Sequence, residues 1–301
     1  MAEPAPAQPP LPPKELMTRI GVPDSDVLES TYLQIGDSLT VVKLLGPEWS
    51  WEGRRVLDFG CGSGRLLRQF LDEARLAEFH GSDIDEEMVS WVRNHLCPPI
   101  ADVRVNGEQP PLDYPDDHFD LVTAFSVFTH IADGWSDWML EIRRVLKPGG
   151  LLIATFLDSM EARRLIGQPW DEERGGMGAV GFANPETSLP TVFHSHWWLR
   201  EHWGRAFQVL ELRPGKGRPE NSQAWAVLRA REVELTPEQL EREDPDDRRY
   251  YEARRYQFEL LRAEGEELRR RARRRDEELV QSASWRLTAP LRRAKALLRR
   301  R

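Results

Sequence analysis

The chain has 301 residues and a formal net charge of -8 at pH 7, which leaves room for one sizeable domain with appendages and speaks against a general nucleic-acid binder. Its two cysteines, Cys61 and Cys97, form neither a CxxC pair nor a metal-spaced cluster, so a reduced, cytoplasmic setting is expected. No apolar run reaches the length of a membrane-spanning helix.

Residues 1–14 are rich in Pro and Ala and lack the basic start and apolar centre of a secretory signal, so they read as a disordered leader. Glu15 to Gly46 reads as helical, with Leu28, Tyr32, Ile35, Leu39, Val42 and Leu45 spaced along one face that would cap a sheet. A strand, Arg55 to Phe59, runs into a loop with glycine at every second position, and Leu66, Leu67, Phe70 and Leu71 then suggest a helix to about Glu73. The second strand is Glu78 to Ile84. A helix from Asp85 to His95 comes next, with Asp85 as N-cap and Glu86 and Glu87 in the first turn. Strand three is Asp102 to Val105, strand four Phe119 to Phe125, and a Pro- and Asp-rich loop, residues 106–117, joins them. A Trp-rich helix from Trp135 to Leu146 stops at Lys147-Pro148-Gly149-Gly150, and strand five is Leu151 to Phe156. Phe207 to Leu212 and Gln223 to Arg229 read as a hairpin around Pro214, Gly215, Gly217 and Pro219.

Strands alternating with helices imply βαβ units and a parallel sheet. Past Arg231, residues 232–249 are acidic and read as a linker. Residues 250–281 form a long helix or short coiled coil. Tyr251, Phe258, Leu261, Leu268, Ala272 and Leu279 sit on a heptad seam broken by Arg254, Gly265 and Arg275. Residues 282–301 carry no acid. If helical, their Leu287, Leu291, Ala294 and Leu298 form a stripe, the pattern of a basic amphipathic anchor for an anionic membrane face.

The loop after strand one is the most telling segment: Val56-Leu57-Asp58-Phe59-Gly60-Cys61-Gly62-Ser63-Gly64-Arg65. A G-x-G-x-x-G loop seats a pyrophosphate on a helix N-terminus. Here the spacing is G-x-G-x-G and Asp58 stands two residues ahead, an acid that repels phosphate and suits a ligand with a cationic end such as the amino group of a methionine moiety. This run resembles the first motif of the class I S-adenosylmethionine-dependent methyltransferases. Three further stretches resemble that family in the right order: Gly81-Ser82-Asp83-Ile84-Asp85, the Leu112 to Asp120 stretch, and Phe125-Ser126-Val127-Phe128-Thr129-His130 with the later Lys-Pro-Gly-Gly breaker. Asp113 stands where the family usually has proline.

The resemblance implies an α/β, Rossmann-like, seven-stranded and mostly parallel sheet with a terminal antiparallel hairpin over about residues 50–231, plus the C-terminal helical extension. The methyltransferase domain with its helical cap then covers residues 15–231. The cofactor implied is S-adenosyl-L-methionine. Asp58, Gly60, Cys61, Gly62 and Gly64 would cradle its methionine end, Cys61 as a small loop residue and not as a catalytic thiol. Asp83 would take the ribose hydroxyls and Ile84 would pack on the adenine. Asn106 and Glu108 compete for the adenine amino group, and Phe125 and Ser126 would wall the sulfonium.

For a hydroxyl acceptor, His130 is the candidate general base, against a packing role beside the next helix. His194 and His196 are candidate acceptor contacts. No carboxylate or third ligand stands near them in sequence, so no metal is expected. Four of the eleven tryptophans, Trp170, Trp197, Trp198 and Trp203, cluster in this insert, where packing and sugar stacking are both open.

The phrase from Ser282 to Arg292 resembles one found after coiled coils in bacterial enzymes of surface-polysaccharide assembly, which implies a glycan or lipid-linked saccharide as acceptor at the inner membrane face. The alternatives are a methyltransferase of a small secondary metabolite and a non-catalytic, cofactor-binding scaffold tethered to a membrane complex. Partners expected are that acceptor, the membrane surface through the tail, and a second copy through the 250–281 helix, with no nucleic acid.

Overall fold

Apolar strands and amphipathic helices alternate through the first 230 residues, and the computed structural model assembles them as a sheet between two helical layers. It describes residues 9–19, 28–33, 36–166, 170–180, 190–215 and 223–281. Most of the leader, Ile35, Gly217, Pro219 and the basic segment 282–301 lie outside the described residues. The chain divides into two units, Met1–Arg254 and Arg255–Arg301.

In the first unit the strands are β1 (Arg55–Phe59), β2 (Glu78–Asp83), β3 (Asp102–Val105), β4 (Phe119–Ala124), β5 (Leu146–Phe156), β6 (Met177–Val180), β7 (Thr191–His194), β8 (Phe207–Arg213) and β9 (Ala224–Ala230). Seven of them form one sheet in the order β3-β2-β1-β4-β5-β9-β8, and β6 and β7 form a separate antiparallel pair. Only β9 runs against its neighbours in the main sheet. β1 pairs with β2 on one side and β4 on the other, so the direction of winding reverses between β1 and β4. Ligands of open α/β sheets bind beyond the strand carboxyl ends at such a switch point. The loops after β1 and β4 flank it.

The helices are α1 (Lys14–Arg19), α2 (Leu28–Tyr32), α3 (Gly36–Leu45), α4 (Glu86–Leu96), α5 (Trp135–Val145), α6 (Ser159–Ile166), α7 (His196–Ala206), α8 (Pro237–Glu241) and α9 (Arg248–Gln281). Alternation along β1 splits the core. Leu57 and Phe59 join α5 and α7 residues Trp138, Met139, Ile142, Trp198 and Trp203 on one face. Val56 joins Val41, Leu67, Phe70, Met88, Val89 and Val92 on the other. Side chains two apart on a strand share a face, so each apolar strand residue serves one layer.

Several boundaries differ from the sequence expectation. Among the described residues the helical cap comprises α1, α2 and α3, with a turn at Leu33 after α2. The helix expected after the glycine loop is two 3-10 turns, Leu67–Phe70 and Glu73–Arg75. In the first of them the Gln69 side chain donates to the Arg65 carbonyl, the acceptor its own backbone N–H would use in an α-helix, and that N–H bonds Leu66 O. The Lys147–Gly150 breaker does end α5, but as an extended stretch at the start of β5, with a register shift against β4. Within the acidic stretch 232–249, Thr236 and Gln239 form a capping box at the start of α8, and Leu240 is buried in the core.

Two ionic hubs fix the strand ends. Arg144 donates to Glu141, Asp116 and the Leu112 and Tyr114 carbonyls, pinning the loop before β4 onto α5. Asp120 accepts from Arg54, the Arg55 N–H and Lys147. Burial alone would raise its pKa, but these donors outweigh burial and hold it low. It ties β4 to β1 and β5.

In the second unit, α9 continues as a single helix. Phe258, Leu261 and Leu268 are exposed on the expected heptad seam, as is Tyr251 earlier on the same helix.

Candidate functional site

Beyond Phe59 the backbone turns through Gly60, Gly62 and Gly64 with φ of +74°, +53° and +82°, the left-handed region that side chains other than glycine adopt at a cost. The loop uses its N–H groups internally. Gly60 and Cys61 donate to Ser82 O, Gly64 donates to Cys61 O, and Gly62 donates to Asp83 Oδ2 at 2.7 Å. Few donors are left to bind a phosphate, as the glycine spacing implies. The Cys61 thiol is buried and its pKa is pushed well up by that burial, so it is a neutral packing group.

A Cβ built on Gly60 would lie 2.4 Å from Val127 Cγ2, so the loop after β4 packs directly on the glycine loop. Gly60→Ala is therefore expected to destabilise the fold by about 2 kcal/mol, from left-handed strain and overpacking together. Urea unfolding measures this, and adding Val127→Ala should restore part of the loss. An additive double mutant would mean that the two residues do not meet.

Asp58 is 3% exposed, and its Oδ1 accepts from Thr123 Oγ1 at 2.8 Å. With Val41, Leu66, Leu67 and Leu121 it lines a small buried space. Burial raises its pKa to about 7.

Asp83 ends β2. One oxygen holds the Gly62 N–H and the other the Asp85 N–H at 2.9 Å. Burial raises its pKa, and those two backbone bonds work against the rise. Asp85 is the α4 N-cap, accepting from the Glu87 and Met88 N–H groups. Ile84, between them, is 57% exposed although apolar. The Asn106 N–H donates to Asp83 O, and Asn106 Oδ1 is buried without a hydrogen-bond partner. Glu108 is exposed.

At the end of β4, Phe125 packs edge-on against Trp225 at 4.8 Å. Ser126 adopts φ +59°, uncommon for a residue with a side chain. Its N–H donates to Thr155 Oγ1 and its hydroxyl meets Thr129 Oγ1 and Gln223 Nε2. Sequence reasoning misses Thr155 and Gln223. The available signal is a polar residue opening the apolar strand β9. His130 is partly exposed, and its Nδ1 lies 3.0 Å from Pro190 O. A protonated Nδ1 donating there leaves the Nε2 lone pair as the basic site.

The insert departs from the sequence reading. His194 is 1% exposed, with its ring between Trp198 and Trp203, and burial drops its pKa to about 3. It is a neutral core residue and not an acceptor contact, because β7 is buried along its whole length, from Thr191 to His194. Trp170, Trp198 and Trp203 are buried as well, so packing is their role. His196 is partly exposed, and contrary to the sequence expectation it has carboxylates nearby: Asp158, Glu172 and His196 each offer a ligand atom within 4.8 Å of the others. All four carboxylate oxygens accept backbone N–H groups, from Met160 and Gly215 on Asp158 and from Ser159 and His196 on Glu172. The cluster thus knits together the start of α6, the start of α7 and the turn after β8.

Residues 57–154 match a protein family described as a methyltransferase domain. The match runs from β1 into β5. Curated relatives include a demethylmenaquinone methyltransferase of Deinococcus radiodurans, 35% identical over 33% of this chain, and a fatty-acid O-methyltransferase of Mycolicibacterium smegmatis, 31% identical over 35% of it. A malonyl-[acyl-carrier protein] O-methyltransferase of Halorhodospira halophila is 37% identical over 34%. The matched segments span only 42%, 37% and 35% of these relatives' own lengths. Among solved structures, a chain from the complex of the Haloferax volcanii Trm112 methyltransferase activator with a methyltransferase aligns over 74% of this chain and 99% of its own length, at 18% identity and a TM-score of 0.52. That likeness shows the Rossmann-like methyltransferase fold. The matched domain holds the glycine loop, Asp83, Asn106 and the loop after β4.

Proposed function

We propose that the chain is an S-adenosylmethionine-dependent methyltransferase whose donor site lies over the carboxyl ends of β1, β2 and β4. The observation that carries this reading is the arrangement around Asp83. A carboxylate at the end of β2 braces the glycine loop. Beside it stand an exposed apolar side chain, Ile84, and an unpartnered buried acceptor, Asn106 Oδ1. These fit a nucleoside: Asp83 for the ribose hydroxyls, Ile84 for the adenine face, and Asn106 Oδ1, in preference to exposed Glu108, for the adenine amino group. Gly60 to Gly64 bring the backbone close to the methionine end. Asp58 precedes that loop as a buried group, and Phe125 and Ser126 form the wall toward the sulfonium.

When bound, the cofactor supplies an electrophilic methyl group for in-line displacement. The chain's contribution is alignment, which reaches several kcal/mol. His130 Nε2 takes the acceptor's proton when the acceptor is a hydroxyl. The acceptor we favour is a glycan or lipid-linked saccharide at an anionic membrane face, supported by the basic sequence of residues 282–301. The named relatives are methyltransferases of demethylmenaquinone, a fatty acid and malonyl-[acyl-carrier protein], and they support a small metabolite as the alternative acceptor. A scaffold without catalysis is the third reading.

Calorimetry with S-adenosylhomocysteine tests the donor site, and release of S-adenosylhomocysteine in the presence of candidate acceptors tests turnover. Full binding without turnover on any acceptor class would favour the scaffold. Removal of residues 282–301 should free the protein from anionic vesicles, and retained binding would end the tether idea.

The exposed seam on α9 supports self-association through a coiled coil. Phe258→Asp with Leu261→Asp is expected to lower the sedimentation coefficient to that of a monomer. An unchanged coefficient would assign this face to solvent.

A further inference from the structure

We infer that Gln223, at the edge of the antiparallel strand β9, is a positioning residue for the methyl-donor site, an inference that rests on the donor-site reading above. The observation is a closed hydrogen-bond cycle at the carboxyl edge of the sheet. Ser126 N donates to Thr155 Oγ1 at 2.8 Å, Thr155 Oγ1 donates to Gln223 Oε1 at 2.5 Å, and Gln223 Nε2 returns to Ser126 Oγ at 2.9 Å. Ser126 Oγ also meets Thr129 Oγ1 at 3.1 Å. Three strands contribute: β4 through Ser126 just past its end, β5 through Thr155, and β9 through the residue just before it.

The cycle holds a conformation that Ser126 does not favour. A left-handed residue with a Cβ is held at a cost of about 1–2 kcal/mol and persists where its surroundings over-determine it. At Ser126 both the backbone N–H and the hydroxyl are fixed. The next residue, Val127, has its Cγ2 against Gly60, 2.4 Å from where a Cβ would stand. The φ of Ser126 therefore sets how closely the β4 loop approaches the glycine loop, and Gln223, 97 residues away in sequence, sets that φ. Gln223 acts through Ser126 and touches no reacting atom. Its amide suits this task because it supplies an acceptor to Thr155 and a donor to Ser126 at once. Neither a carboxylate nor an apolar side chain does both.

The test uses the full chain and S-adenosylhomocysteine as probe. Gln223→Leu and the isosteric Thr155→Val should each weaken binding about tenfold, with little change in the melting temperature. The double mutant should be no weaker than either single, because both break one cycle. In a Ser126→Gly background, where the backbone adopts φ +59° freely, Gln223→Leu should have no further effect. Amide hydrogen exchange at Ser126 and Val127 should quicken in Gln223→Leu whatever the loop binds. Additive losses, or Gln223→Leu within twofold of the parent with unchanged exchange, would overturn the inference. No binding of S-adenosylhomocysteine by the parent protein, together with faster exchange in Gln223→Leu, would overturn the donor-site reading and leave the loop-positioning role of Gln223 standing.

Discussion

Asp83→Ala is expected to weaken S-adenosylhomocysteine binding by about a hundredfold or more, roughly 3 kcal/mol. Two losses combine. The ribose hydroxyls lose a carboxylate acceptor, and the glycine loop loses the 2.7 Å bond from Gly62 N that holds it against β2. Asp83→Asn separates the two. An amide oxygen still accepts from one N–H, but the charge is gone and one position becomes a donor, so binding should fall to an intermediate level. Calorimetry on both variants, with circular dichroism to check folding, decides. Asp83→Ala at parental affinity would move the ligand away from the end of β2 and with it the whole donor-site assignment.

Asp58→Asn should stabilise the protein above neutral pH. In the unfolded chain an aspartate has its ordinary pKa, 3.8, whereas burial raises Asp58 to about 7 in the fold. The Thr123 bond and the Arg65 charge lower it, while Asp83 and Asp37 raise it, and burial exceeds them all. Between those two values the folded state holds the proton and the unfolded state does not. Stability from this group is then highest at low pH and falls as pH rises to about 7, levelling off above it. The full difference is about 4 kcal/mol on the scale of 1.36 kcal/mol per pKa unit. Asparagine keeps the acceptor for Thr123 and carries no charge to bury. Urea unfolding at pH 5 and pH 9 should show a small difference between the two proteins at pH 5 and a large gain for Asn at pH 9. An equal difference at both pH values would mean that Asp58 is not the titrating group.

The Asp58 result also bears on the glycine loop. Read from sequence, an acid two residues ahead of the first glycine excludes phosphate and invites a cation. In the fold the Asp58 carboxylate is buried against Thr123, while Asp83 supplies the carboxylate that the loop itself touches.

Local pattern determined much of this protein. The short apolar strand Arg55 to Phe59, the N-cap at Asp85 and the apolar run of β4 each depend on residues within a few positions of one another, and period and capping are properties of the local chain. For the same reason the glycine spacing and Asp83 are visible as a cofactor pattern. Only the tertiary structure decided the rest. His194 and His196 look alike in sequence, yet β7 turns one into the tryptophan core and leaves the other beside Asp158 and Glu172. The Ser126–Thr155–Gln223 cycle joins residues up to 97 positions apart. It exists because β5 lies between β4 and β9, and no local period encodes which strand becomes whose neighbour.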